Sequence, residues 1–215
     1  VNVRILKYNA AAIKSWGAGA GKVCEIYRFP ETASDQDYLV RFSTATIEVP
    51  QSDFTCYPGY IRHHRTLQGS CVFEIHGSAN NTLIDQSGSV FDFIGDTQLT
   101  CSLTTNAALA TNLIHRPQVQ VSDRVLQLDA SNMSLDELLP TPIASQDSPV
   151  FLLNIVYVIE GELNLESVAQ SRVQHSLGVG DTLITNSENS SFDASIWRIN
   201  NSSAKVYHGV IAIPR

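Results

Sequence analysis

One octapeptide of this chain occurs twice in outline. Leu67–Gln68–Gly69–Ser70–Cys71–Val72–Phe73–Glu74 returns as Ile159–Glu160–Gly161–Glu162–Leu163–Asn164–Leu165–Glu166. Downstream, Ile94–Gly95–Asp96–Thr97 has its counterpart in Val179–Gly180–Asp181–Thr182. Gly69 and Gly95 are 26 residues apart, Gly161 and Gly180 only 19, so the copies differ by a loop. Each copy gives the same local instruction. A strand ends at a Gly free to take a positive φ, a second strand alternates, and a Gly-Asp turn starts the next. Two such copies predict a duplicated β-barrel, since a solenoid needs three or more short repeats.

The rest of the chain agrees with an all-β reading. Short runs rich in Val, Ile, Phe, Tyr and Thr recur between Gly, Asp, Asn and Ser, and helical periodicity is nearly absent. Strands are expected at 3–7, 22–29, 39–49, 61–67, 70–75, 98–103, 111–115 and 124–128. The second half adds 151–159, 162–167, 181–185, 195–200 and 205–213. One short helix is expected where Ser134 and Glu137 form a capping box ahead of Leu138 and Leu139, with Pro140 ending it. Three prolines between Pro140 and Pro149 cannot donate to a strand ladder and read as a connector. The expected division is a first barrel over 1–120, a connector with the helix over 121–149, and a second barrel over 150–215.

Composition sets limits on function. Hydrophobic residues make up 43% and charged residues 16%, a globular balance. A net charge of −7 and a pI near 5.3 oppose unaided binding to nucleic acid or to an anionic membrane, which needs a concentrated basic face. The longest apolar run, Val150–Ile159, is interrupted by Asn154 and is half the length a bilayer span requires. Arg4, Lys7 and Lys14 are spread through the first sixteen residues, unlike a signal peptide. Cys24, Cys56, Cys71 and Cys101 show no C-x-x-C spacing and are expected as free, mostly buried thiols.

A Gly, a hairpin and a Gly-Asp turn before an apolar strand is the skeleton of the cupin barrel, so the expected fold is two tandem cupin-like barrels, a bicupin. Cupins usually bind a metal through a His-x-His pair, a Glu and a later His. Here the strand 151–159 contains no His, and the adjacent His63 and His64 point to opposite faces of a strand. No metal and no cofactor are therefore expected.

Five ordered segments are more specific. Trp16–Gly17–Ala18–Gly19–Ala20–Gly21 leads into Cys24–Glu25–Ile26, and Asp37–Ala45 reads DYLVRFSTA. Phe54–Arg62 reads FTCYPGYIR, followed by Phe93–Ile94–Gly95–Asp96 and Asn112–Leu113–Ile114. Together these resemble the HutD/Ves family over residues 16 to 116. The sequence departs from that family's pattern at Ala18, Cys24 and Val40, where Asn, Arg and Trp are favoured. The resemblance implies a bacterial cytoplasmic protein associated with histidine utilisation. It further implies a regulatory part that senses a pathway acid such as urocanate or a formylated glutamate.

Candidate site residues follow from strand alternation. Arg41 and Ser43 share a face, which is either solvated, tied up in a structural ion pair, or an anion contact, since a guanidinium fork suits a carboxylate. Arg62 and His64 share another, on either a charged edge strand or the barrel mouth, with His63 and Arg65 facing water. Glu25, expected on one face with Tyr27, must be exposed, protonated or paired with Arg41 or Arg62. Asn112 offers an amide to a ligand or serves a turn. Asp96 and Asp181 read as turn residues rather than acids for catalysis. The expected site is Glu25, Arg41, Ser43, Arg62, His64 and Asn112, binding a small carboxylate metabolite with no catalytic residue. Two alternatives stay open. One is a metal-independent isomerase or hydrolase using Glu25 and His64; the other is a protein-interaction module with a vestigial pocket. Oligomeric state is not read from the sequence.

Overall fold

The computed structural model describes residues 2–86, 90–139, 150–167, 173–187 and 197–214. They are almost wholly strand. The chain opens with β1 (Asn2–Leu6), followed by β2 (Ile13–Trp16), β3 (Gly21–Phe29), β4 (Val40–Ile47) and β5 (Gln51–Asp53). Next come β6 (Ile61–Gln68), β7 (Ser70–Ile75), β8 (Asn81–Asp85), β9 (Phe91–Ile94), β10 (Leu99–Leu103) and β11 (Ala108–His115). The carboxy-terminal part holds β12 (Gln120–Ser134), α1 (Leu135–Leu138), β13 (Val150–Ser167), β14 (Gln174–Leu177), β15 (Thr182–Ser187) and β16 (Trp197–Pro214). No helix among the described residues is long and apolar enough to cross a membrane.

Two compact units result, Asn9–Pro117 and Val1–Tyr8 joined with Gln118–Arg215. In the first, a six-stranded sheet of order β2-β3-β4-β11-β6-β9 and a four-stranded sheet β5-β10-β7-β8 both lie in antiparallel register. Phe54, Phe73, Leu99, Cys71 and Cys101 pack with Ile47 and Ala108 to form the core of this unit. The carboxy-terminal unit carries the order β1-β15-β13-β16-β12, with β14 also on β13. Val156, Val158, Leu183 and Val206 meet Leu135 and Leu138 in its core. Among the described residues the sheets do not close into barrels.

The unit boundaries differ from the expected ones. Residues 2–6 were expected in the first barrel, yet β1 pairs with β15, Ile5 opposite Leu183. Residues 121–134, expected as connector, form most of β12, which pairs with β16 from Gln120 to Ser134. Both errors have one cause: pairing across more than sixty residues, and in β1 more than 170, leaves no local trace. The short helix is present, but Ser134 makes no side-chain capping bond. The stretch 140–149 lies outside the described residues.

The duplicated glycines behave alike. Gly69 takes φ 76° and Gly161 φ 77°. A Cβ at Gly69 would sit 2.3 Å from the Ala107 carbonyl oxygen, and one at Gly161 2.0 Å from that of Ser203. Only Gly supplies both the left-handed φ and the close backbone approach. Their neighbours differ: at Gly69 the chain leaves one sheet for another, whereas at Gly161 β13 continues through register shifts on either side. The expected strands 151–159 and 162–167 are therefore one.

All four cysteines are free. Cys71 and Cys101 are buried as expected, but Cys24 is half-buried and Cys56 exposed.

Candidate functional site

Three neighbouring strands of the first unit aim polar side chains inward. On β6 these are Arg62 and His64, on β11 Asn112, and on β4 Arg41 and Ser43. The register ties them together: Asn112 lies opposite His64 on one side and Ser43 on the other, and Ile114 opposite Arg62 and Arg41. These groups, with Trp16 and Phe54, line a cavity of about 60 Å³. That is room for roughly four waters, or for the head of a small organic acid. Five of the six residues expected from the sequence are brought together here.

Glu25 is the sixth, and it does not line the cavity. A bulge between Glu25 and Tyr27 puts Tyr27 opposite Phe42 and Arg28 opposite Arg41. Tyr27 thus leaves Glu25's face, contrary to simple alternation, and Arg28 takes its place. Arg28 grips the carboxylate with two bonds of 2.8 Å, Nε to Oε1 and Nη2 to Oε2. Arg41 Nε adds a third at 2.7 Å. Burial works to raise the Glu25 pKa, but the hydrogen bonds and charges of Arg28 and Arg41 outweigh it and hold the carboxyl below its usual range. Glu25 is a counter-ion behind the cavity wall, locked in its ionised form.

The two cavity arginines therefore differ. Arg41 has its charge matched by Glu25 and donates from Nη1 to the Tyr57 hydroxyl at 3.2 Å. Arg62 is 8% exposed and has no acidic partner among the described residues. Its Nε and Nη2 both donate to Asn112 Oδ1, at 2.9 and 2.6 Å, and Nη1 reaches the Thr55 carbonyl at 3.4 Å. The guanidinium lies over Phe54, 4.4 Å from the ring centre, with Phe93 and Tyr57 at 5.5 and 5.7 Å. Burial pushes its pKa down to about 10, Arg41 adding to the effect. Ring faces and amide oxygens soften a buried cation, but a missing counter-ion still leaves a penalty of several kcal/mol.

His64 completes the frame. Its Nδ1 lies 3.1 Å from Asn112 Oδ1, an atom that only accepts, so Nδ1 carries the proton and Nε2 presents a lone pair. That Nε2 is buried without a partner. Phe54 and Phe73 meet the ring edge-on at 5.5 and 5.0 Å and fix its plane. Asn112 is thus no turn residue but the acceptor that orients both neighbours.

His63, expected to face water, does not. β6 lies between β11 and β9 and is no edge strand, and His63 is half-enclosed there. It bonds Asp92 at 2.6 Å through Nδ1 and His115 at 2.8 Å through Nε2. Among the described residues no group of three or more His, Cys, Asp or Glu could hold a metal ion.

Arg28, Tyr57 and Trp16 were missed as site residues. Tyr57 and Trp16 stood inside quoted motifs, and only the choice of polar groups passed them over. Arg28 needed the bulge, which nothing in the sequence announces.

The model of the HutD family matches residues 8–198 of this chain. The chain belongs to the HutD family. HutD from Pseudomonas fluorescens SBW25 superposes with a TM-score of 0.66 at 19% identity, covering 100% of both chains. A conserved protein of unknown function from Pseudomonas aeruginosa PAO1 gives 0.72 at 20%, covering 99% of this chain and 100% of that one. The hazelnut vicilin from Corylus avellana shares the fold at 7% identity, with a TM-score of 0.60 over 97% of this chain and 85% of its own. These likenesses establish a cupin-like fold. No curated protein matches the chain by sequence.

Proposed function

We propose that this HutD-family protein binds a small carboxylate metabolite in the cavity of its first unit, as a cytoplasmic regulatory component of bacterial histidine utilisation. One observation carries the reading: Arg62 is a buried cation with no acid beside it among the described residues, at the wall of a cavity. A ligand carboxylate would supply the missing charge, meeting a guanidinium already oriented by Asn112. Ser43 and Arg41 stand on the same face to receive the rest of the anion, and His64 Nε2 accepts a hydrogen from it. We read the two units as a tandem of open cupin-like units, bicupin-like, of which the first holds this site.

An acid–base enzyme fits less well. Glu25 is held ionised by two arginines away from the cavity, so it has no proton to give at neutral pH.

Thermal unfolding of the full chain with urocanate and with N-formylglutamate tests the proposal. At a concentration a hundred times Kd, the stabilisation is about 2.7 kcal/mol. For a chain of this size that raises Tm by roughly 5–10 °C. The rise should vanish in Arg62→Met. No stabilisation by any histidine-pathway acid would overturn the reading.

A further inference from the structure

The carboxy-terminal unit repeats the first unit's frame with other side chains at matching positions. Setting Gly161 on Gly69 places Val156 at His64 and Asn154 at Arg62. Cross-strand register then carries the match outward within each unit. Asn112 opposes His64, and His208 opposes Val156. Ser43 opposes Asn112, and Arg124 opposes His208. Phe93 opposes Arg62, and Thr185 opposes Asn154. Where the first unit has Arg62, Asn112, Ser43 and Phe93, the second therefore has Asn154, His208, Arg124 and Thr185.

These four residues share the inner face. They continue the alternation of Val156, Leu183 and Val206, which belong to the apolar core. His208 and Thr185 are 0% exposed and Asn154 6%. Arg124 reaches the same side, since its Nη2 donates to the carbonyl of core residue Leu138 at 3.0 Å. The residue as a whole is exposed.

Polar atoms here lack partners. His208 Nε2 lies 3.4 Å from Asn154 Oδ1, so Nε2 carries the proton and Nδ1 is a bare acceptor. Burial first, and then the charge of Arg124, push His208 down to about 3, so the ring is neutral. Nδ1 has no hydrogen-bond partner, and neither has Thr185 Oγ1. Buried polar atoms are nearly always satisfied, and two orphans on the strands that flank β13, with Asn154 between them and a cation beside His208, describe a place meant to be filled. The charge is placed differently from the first unit, where the buried cation Arg62 stands at the position that the neutral Asn154 takes here.

We propose that Asn154, Thr185, His208 and Arg124 form a second small-ligand site, for a carboxylate that also carries a hydroxyl or N–H. The carboxylate takes the Arg124 guanidinium and the Asn154 amide, and the hydroxyl or N–H donates to His208 Nδ1. A bare carboxylate satisfies only half of the site. The proposal does not depend on the first cavity being occupied.

The test is side-chain NMR on the intact protein labelled with ¹⁵N-histidine, using glycolate as probe and acetate as its counterpart without a hydroxyl. The His208 signals are identified by their loss in His208→Gln. Glycolate should move the His208 Nδ1 resonance and saturate, and acetate should bind about tenfold more weakly for want of one hydrogen bond. Arg124→Gln, at an exposed position and with its fold checked by an unchanged amide spectrum, should weaken the response by at least about tenfold. The response should persist in Arg62→Met, which disables the other cavity. A His208 resonance unmoved by glycolate would mean an ordered water only and would overturn the site. So would an undiminished response in Arg124→Gln, or a response abolished by Arg62→Met.

Discussion

The two units hold one frame and two chemistries. Gly69 and Gly161 share a φ and a close backbone approach, and the strands on either side keep matching register. At the same inward position the first unit buries the cation Arg62 and the second the neutral amide Asn154. The frame sets where inward polar groups stand; only the side chains decide what they take. The largest expected effect breaks the comparison at that position. Arg62→Met should lower carboxylate affinity at least about a hundredfold, because it removes the charge and its fork together. It should also leave the fold as stable as before or up to about 2 kcal/mol more stable in urea, since replacing an unmatched buried cation with an apolar chain removes its desolvation cost. Lost affinity with a large loss of stability would instead make Arg62 a structural residue.

The Gly-Asp turns part company in the same way. Asp181 accepts from Lys7 Nζ at 2.7 Å and from the Tyr8 and Gly178 amides at 2.8 and 3.0 Å, so it fastens the end of β1 to the turn. Burial works to raise its pKa, but these three bonds hold it low. Asp96 stands exposed at the matching position. Asp181→Ala should therefore cost about 2 kcal/mol in urea unfolding, and Asp96→Ala less than about 0.5. Equal losses would show that the turn itself, not the tether to β1, is what Asp provides.

A smaller effect separates the units by pH. Burial pushes His208 down to about 3 in the second unit and His115 to about 4 in the first, against about 6.5 unfolded. Below pH 6.5 the unfolded chain binds protons that these rings refuse, so stability is level above that pH and falls as pH drops toward the folded values. Each ring should cost about 1–2 kcal/mol by pH 5. Urea curves from pH 7.5 to 4.5 should be flatter for His208→Gln and for His115→Gln, each by its own share. An unchanged slope in His208→Gln would mean the ring takes up its proton in the folded protein.

Most of the strands were legible because each is a local pattern. Val40–Ile47 and Ala108–His115 are long runs that read as strands whatever they pair with. The strands passed over were short or polar, as in Gln51–Asp53 and Asn81–Asp85, where partners rather than composition decide. Pairing partners were illegible for the same reason: nothing in Asn2–Leu6 names Thr182–Ser187. In the site, alternation alone put Arg62 and His64 on one face and Arg41 and Ser43 on one face. It failed at Glu25, where one bulged residue exchanged Tyr27 for Arg28. Register errors of this size reverse a face, so one unforeseen residue brought Arg28 onto Glu25 beside Arg41, the partner that the sequence did suggest.

That counter-ion gives the last and smallest test, within one cavity wall. Glu25 matches Arg41 and Arg28, and among the described residues no acid matches Arg62, so Glu25→Gln and Arg62→Met should fail differently. The Glu25 side chain is about one-third exposed and its pairs are partly screened, so Glu25→Gln should cost only about 1 kcal/mol at pH 7. Its folded pKa lies below the unfolded value, so its contribution is full above the ordinary carboxylate range and is lost as pH falls through the folded pKa. The variant and the parent should therefore converge in stability as the pH falls through that folded pKa. Carboxylate affinity should drop less than about tenfold, or even rise, because Arg41 released from Glu25 is a second free cation beside the ligand. If Glu25→Gln abolished binding as fully as Arg62→Met, the two arginines would form one charged unit, and the contrast between them would be wrong.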